Sequence, residues 1–324
     1  MIPEIANQIA LVVLGLVILL VAGDLLVRGA VGLATALKIP ALLVSLTIVA
    51  FGTSAPELFV SVQAVLTGND GIALGNIIGS NIANVMLVLG LPALIYPITT
   101  HVIGLRRHAI FMLLATVALL AIAYGPGAIN TTLGAGLFAG IIVYVSYLWI
   151  RASSGKSEDP ILDEVEEYKE GGLSFKTIAF LITGLVGLPL GAHLLVTHGA
   201  GLAADLGVRD ELIGLTIVAF GTSLPELATV IAAALHKKSD VAIGGVIGSN
   251  IFNILAVGGA AGLAGTAVFS DASKMLDIPF MAVSAIALAA FVLTRRDIGR
   301  LWGAIFFSSY IGFMVYLALN AGGA

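Results

Sequence analysis

The sequence predicts an all-α integral membrane protein of ten transmembrane helices, arranged as two inverted-topology repeats of five with broken helices at the centre. Composition is the first observation behind this. Of 324 residues, 59% are hydrophobic and only 10% charged, against roughly 25% charged in soluble domains, and the mean hydropathy is +1.09. Such a chain cannot present a mostly polar surface to water. Segmentation is the second. About 20 apolar residues cross a bilayer, and apolar stretches fall at 5–36, 40–67, 70–97, 104–124, 129–150, 174–204, 210–236, 239–267, 275–294 and 298–320. The first is too long for a cleaved signal peptide and has no basic flank before it, so it is expected to be helix one of the mature protein.

Repetition is the third observation. Adding 169 to a residue number in the first half lands on its counterpart: Thr47 on Thr216, Glu57 on Glu226, Gly75 on Gly244, Ser80 on Ser249 and Asn84 on Asn253. Between Leu46 and Glu57 only Ala55 differs, being Leu224 in the second copy. Shared hydrophobicity alone would not match Gly, Thr, Ser, Pro and Glu as well. The expected organisation is a five-helix unit over 1–150 with its motif at about 40–90, an acidic linker over 151–173, and a second unit over 174–324 with its motif at about 209–259.

An odd number of spans per unit makes the second copy enter the membrane from the opposite side, so the repeats are expected to be inverted. Lysine and arginine collect in cytoplasmic loops. With the N-terminus outside, thirteen of the fifteen basic residues lie inside and only Arg209 and Lys274 outside. Both termini are therefore expected outside and the linker in the cytoplasm, in the cell membrane.

Glu57 and Glu226 fall near the centres of the second and seventh stretches with no lysine or arginine nearby, whereas Asp24, Asp70, Asp205, Asp210 and Asp240 are read as lying near segment ends. A charge at membrane depth costs at least about 2.5 kcal/mol. Pro56 and Pro225 precede the two glutamates. A proline inside a helix removes a backbone bond and crowds the carbonyl four residues back, here Gly52 and Gly221. Freed carbonyls would join the hydroxyls of Thr53, Ser54, Thr222 and Ser223 and the two carboxylates. Irregular backbone at this depth is tolerated where it lines a cavity or is buried in protein. An oxygen-only donor set suits sodium, calcium or magnesium.

Matching parts come from GNIIGSNIAN at 75–84 and GGVIGSNIFN at 244–253. Ser80 and Asn84 are four apart and share a helix face, as do Ser249 and Asn253. Two such faces meeting two broken helices would close a polar cage. Asn81 and Asn250 point elsewhere and are read as packing groups or as groups that support the ligands from behind.

The paired GTSxPE and GSNxxN motifs, one pair in each half, resemble the alpha-repeats of the sodium/calcium exchangers of the cation/calcium exchanger superfamily, and the likeness spans the chain. It implies ten helices around a cluster of cation sites, reached alternately from either side as the first and sixth helices slide over the rest. By motif position it implies Glu57 and Glu226 as the main calcium ligands. Thr53, Ser54, Ser80, Thr222, Ser223 and Ser249 would serve sodium or calcium, Asn84 and Asn253 would add oxygen donors, and the Ala50 and Ala219 carbonyls would contribute. Some exchangers carry Asp where this chain has Asn253, and the GN of the motif is Gly244-Gly245 in the second copy.

The expected activity is antiport of Na+ for Ca2+, with proton-coupled or K+-dependent calcium antiport and a cation channel as alternatives. Na+, Ca2+ and the lipid bilayer are the expected partners, with no cofactor and a functional monomer. Hydrolysis is excluded by the lack of GxSxG and HExxH and of any histidine near the motifs. Absent cysteines rule out thiolate sites and thiol nucleophiles. A net charge of -4 gives no sign of nucleic acid. His193 and His198 are read as structural, and the acidic run from Glu158 to Glu170 as a solvated linker without the spaced ligands of an EF-hand loop.

Overall fold

The computed structural model describes residues 2–37, 39, 41–153, 174–205 and 221–320. Helix α1 is Ile2–Leu37. Helix α2 runs through Ala41–Val44, a π-helical turn at Ser45–Val49, and Ala50–Thr53. It meets α3, Ala55–Leu66, at a 44° bend. Helix α4 is Asp70–Ile95 and contains a second π-helical segment, Asn84–Leu89. Then follow α5 Leu105–Tyr124, β1 Ala128–Ile129, α6 Thr131–Ser153 and α7 Phe175–Asp205. Helix α8 is Leu224–Leu235. Helix α9 is Ser239–Ala264, with a π-helical segment at Asn253–Val257. Strand β2 Ala267–Val268 and helices α10, Ser273–Thr294, and α11, Arg300–Asn320, complete the chain.

Among the described residues eight helices are long and apolar enough to cross a membrane, or nine with the bent α2–α3 pair counted as one span. The expected tenth, at 210–236, is described only from residue 221, where α8 supplies twelve helical residues. The expected linker begins at 151, but 151–153 are the last residues of α6; its remainder, 154–173, and the Ala219 carbonyl lie outside the described residues.

Helices α4 and α9, which carry the GSNxxN motifs, form the centre. Their most apolar windows are 83% and 94% buried, against 17% for α11 at the periphery. A helix buried on every side must let neighbours close, and small residues do this. A Cβ placed on Gly248 of α9 would stand 2.8 Å from the Ala50 Cβ and 3.0 Å from the Leu46 Cα, so only glycine lets α2 lie directly on α9. Helices α1 and α7 touch in the same way, since a Cβ on Gly15 would come 2.8 Å from the Gly191 carbonyl oxygen.

Loops at two places pair by the same residues. Ile98 and Ile298 exchange backbone hydrogen bonds at 3.1 and 2.9 Å, and Ile129 pairs with Ala267 between β1 and β2. The four positions are related by the 169 offset: 98 with 267, and 129 with 298.

One expectation is corrected. Asp24 is not near a helix end but thirteen residues (37 minus 24) before the end of α1. It is held there by Arg28 Nε at 2.9 Å and by a close contact to His236 Nε2 at the end of α8. A guanidinium one turn along the same helix and an imidazole from a second helix supply its partners. His193 is exposed.

Candidate functional site

The two prolines do not sit inside continuous helices. Pro56 and Pro225 occupy the first turns of α3 and α8, where a backbone N–H has no partner to lose and the fixed φ suits helix initiation. Ser54 and Ser223 stand just before these starts with φ near -86° and -88° and ψ near 5° and 3°. The sequence thus stops one helix and starts another at Thr-Ser, which places Glu57 and Glu226 one turn inside the new helices and turns them to the centre. They are 1% and 3% exposed and near enough to interact electrostatically.

Each half contributes to the other's environment. Ser54 Oγ donates to Glu226 Oε1 at 3.1 Å. Thr53 Oγ1 lies 3.4 Å from Ser249 Oγ and 3.3 Å from the Ala50 carbonyl, which also accepts the Ser54 N–H at 3.0 Å. Asn84 Nδ2 donates to Asn250 Oδ1 at 3.0 Å, and Thr222 Oγ1 donates to Asn76 Oδ1 at 3.4 Å. Ser80 is buried on the α4 face one turn before Asn84. A cavity of about 10 Å³ is lined by Thr53, Glu226, Thr229 and Ser249 together with Val49, Val230, Gly245 and Val246. That is about the volume swept by one water-sized sphere.

Unpartnered polar atoms concentrate here. Among the described residues, both carboxylate oxygens of Glu57, Oε2 of Glu226, Oγ of Ser223, Oδ1 of Asn84 and both amide atoms of Asn253 are buried without a hydrogen-bond partner. Leaving one such group unsatisfied costs about 1–3 kcal/mol, more for a charge, and native proteins hold only a few per hundred residues. All but the Asn253 nitrogen are oxygens that can face a cation. No three His, Asp or Glu side chains converge among the described residues. The donor set is therefore two carboxylates among neutral hydroxyl and amide oxygens, which fits hard cations and not the imidazole or thiolate sites of softer metals.

Of the expected site residues, Ala50, Thr53, Ser54, Glu57, Thr222, Ser223, Glu226 and Ser249 sit at or beside the two helix breaks, and Ser80, Asn84 and Asn253 are buried on the facing helices. Asn250, read as a packing or ligand-supporting group, takes the supporting part: its Oδ1 anchors Asn84 and its Nδ2 lies 3.7 Å from the Met112 sulfur. Asn81 bonds its own helix at Ile77 O. Asn76 was missed by sequence reasoning. The signal was available, since Asn76 lies four residues before Ser80 and extends its polar face by a turn.

The family described as sodium/calcium exchanger protein matches residues 7–151 and again 176–319. The putative antiporter CaxA of Alkalimonas amylolytica is 36% identical over 311 residues, covering 94% of this chain and 97% of that one. The sodium/calcium exchanger MaX1 of Methanosarcina acetivorans is 31% identical over 341 residues, covering 95% and 97%. The solved structure of the sodium-calcium exchanger NCX_Mj soaked without Na+ and Ca2+ superposes with a TM-score of 0.81 at 30% identity, covering 97% of this chain and 99% of its own. Matched in both halves by one family and nearly end to end by these relatives, the chain belongs to the sodium/calcium exchanger protein family, a family of multi-span membrane transporters.

Proposed function

We propose that the protein exchanges Na+ for Ca2+ across the cell membrane by alternating access. The observation that carries this is the convergence of buried, unpartnered oxygens around only two carboxylates, where the bent α2–α3 pair and the start of α8 meet the central helices. Glu57 and Glu226 would replace most of the hydration of one Ca2+. Thr53, Ser54, Ser80, Thr222, Ser223, Ser249, Asn84 and Asn253, with the Ala50 and Ala219 carbonyls, would complete the coordination of Ca2+ or of Na+ ions in its place. Close relatives named as sodium/calcium exchangers support the choice of ions.

In this reading the chain has ten spans in two inverted units of five, both termini outside and a cytoplasmic linker, and it works as a monomer with no cofactor. Charge sets the coupling. One Ca2+ or two Na+ would neutralise the two carboxylates, and a third Na+ would leave the loaded site at +1, making transport sensitive to voltage by roughly 2.3 kcal/mol per charge per 100 mV.

The test is calcium-45 uptake by vesicles containing the purified protein, with sodium, potassium and pH gradients imposed singly. Uptake driven by an outward sodium gradient and absent without it is expected. Sodium-free uptake driven by pH or by potassium would replace the sodium assignment, and flux needing no counter-ion would identify a channel.

A further inference from the structure

The two threonines at the helix breaks are repeat counterparts, since 53 plus 169 is 222, yet among the described residues their hydroxyls are held differently. Thr222 bonds to Asn76, whose own counterpart is Gly245 (76 plus 169). The Asn76 amide is fully engaged. Its Nδ2 donates to the Glu57 carbonyl oxygen at 3.1 Å and to Ser61 Oγ at 2.9 Å, and its Oδ1 faces the Thr222 hydroxyl at 3.4 Å. Ser61 in turn donates to the Ala73 carbonyl at 3.4 Å. These bonds fix which way the amide points, because a flipped Asn76 would set its oxygen against the Glu57 carbonyl, acceptor against acceptor. Thr222 must then be the donor. A hydroxyl has one proton and two lone pairs, so the Thr222 oxygen keeps both lone pairs for another partner.

Among the described residues no amide stands beside Thr53 to fix its hydroxyl in one direction. Gly245 has no side chain to offer, and Val230 occupies the counterpart position of Ser61 (61 plus 169). The Thr53 hydroxyl is shared among the Ala50 carbonyl, the Ser249 hydroxyl, in a pair where either oxygen can donate, and the Glu226 carboxylate. It has to choose an orientation each time a cation arrives, whereas Thr222 is already set.

We propose that Asn76 is a positioning residue that fixes the Thr222 hydroxyl as an acceptor towards sodium, making the Thr222 half of the cage the one that takes sodium at lower concentration. This rests on the sodium/calcium antiport reading. The effect falls on sodium because a monovalent ion relies on neutral oxygens for more of its coordination, while Ca2+ is held chiefly by the two carboxylates.

The experiment is a double-mutant cycle in reconstituted vesicles, reading half-saturating Na+ and half-saturating Ca2+ separately. Asn76→Ala is expected to raise the sodium value about tenfold, the scale of one lost hydrogen bond, and to move the calcium value by less than about threefold. In a Thr222→Val background, with no hydroxyl left to orient, Asn76→Ala should change the sodium value by less than about twofold. In a Thr53→Val background its effect should persist in full. Asn76→Ser, too short to span to Thr222, serves for the same cycle if the alanine variant does not fold.

Equal changes in both ions would make Asn76 a structural clamp on the Glu57 turn and overturn the proposal. An Asn76 effect undiminished by Thr222→Val would overturn it as well. A parent protein with no sodium-driven calcium uptake would instead defeat the antiport reading, before any variant is compared.

Discussion

Ser54 of the first half donates its hydroxyl proton to Glu226 of the second at 3.1 Å, while neither carboxylate oxygen of Glu57 has a partner among the described residues. The two glutamates are thus not alike in the protein alone, and each has at least one oxygen free to face a cation. Glu57→Gln and Glu226→Gln are each expected to abolish sodium-driven calcium uptake in vesicles while the protein remains folded by size-exclusion chromatography. Near-normal exchange by either variant at matched protein levels would remove the site.

Asn253 is fully buried with neither amide atom partnered among the described residues. An amide that bonds to nothing adds no stability, and an apolar group of similar shape is nearly neutral or better. Asn253→Leu is therefore expected to unfold at the parent temperature or higher in a fluorescence melt, yet to lose most of its exchange. A lowered melting temperature with intact transport would mean that Asn253 serves the fold.

Gly248 lets α2 lie on α9, and a methyl group there would press on the backbone at Leu46 rather than on a movable side chain. Gly248→Ala is expected to cost about 1–3 kcal/mol, the range for overpacking a filled core, read as a lower midpoint in chemical denaturation. Gly136, inside α6 where a Cβ would meet nothing within 4 Å, is the control, and Gly136→Ala should not lower the midpoint, since alanine favours a helix interior over glycine.

The paired loops bear on orientation. Single cysteines at Asp271, just after β2, and at Arg296, beside the Ile98–Ile298 bridge, are both at exposed positions in a chain with no native cysteine. A membrane-impermeant maleimide should label the former from outside and the latter only after the inner face is opened. Labelling of both from one side would end the inverted arrangement.

Asp24, Arg28 and His236 tie α1 to the end of α8. The group is partly exposed, so Asp24→Asn is expected to cost no more than about 1 kcal/mol, a small fall in melting temperature. A large loss would show that the cluster carries packing and not only charge.

Much of this protein was legible in its sequence because membrane solvent leaves long marks. The expected stretches at 104–124 and 174–204 became Leu105–Tyr124 and Phe175–Asp205, since a span must be both apolar and about 20 residues long. Glu57 and Glu226 could be found because a carboxylate at that depth needs a reason. The sequence was silent where structure depends on contacts between distant segments. Nothing local announces that Asp24 will meet His236, or that Ile98 will pair with Ile298. Spacing alone could have put Asn76 on the Ser80 face, but could not have shown that Thr222 would arrive opposite it. The break at Thr53-Ser54 was expected from Pro56, but its geometry, a restart with proline in the first turn, follows from packing.

The π-helical segments Asn84–Leu89 and Asn253–Val257 begin at repeat counterparts, one turn after Ser80 and Ser249 on their helices. A π turn holds one more residue than an α turn, so each central helix carries a spare residue of slack beside its asparagine. Deleting a residue elsewhere in α4 would rotate everything beyond it by about 100°, whereas the slack could absorb a deletion within 84–89 by closing to ordinary pitch. The same slack can travel. If the wide turn steps one residue along the chain, Asn84 swings about 100° around the helix axis relative to Ser80 with the helix unbroken at both ends. Such a step would re-aim a single donor while the rest of the span kept its grip on its neighbours.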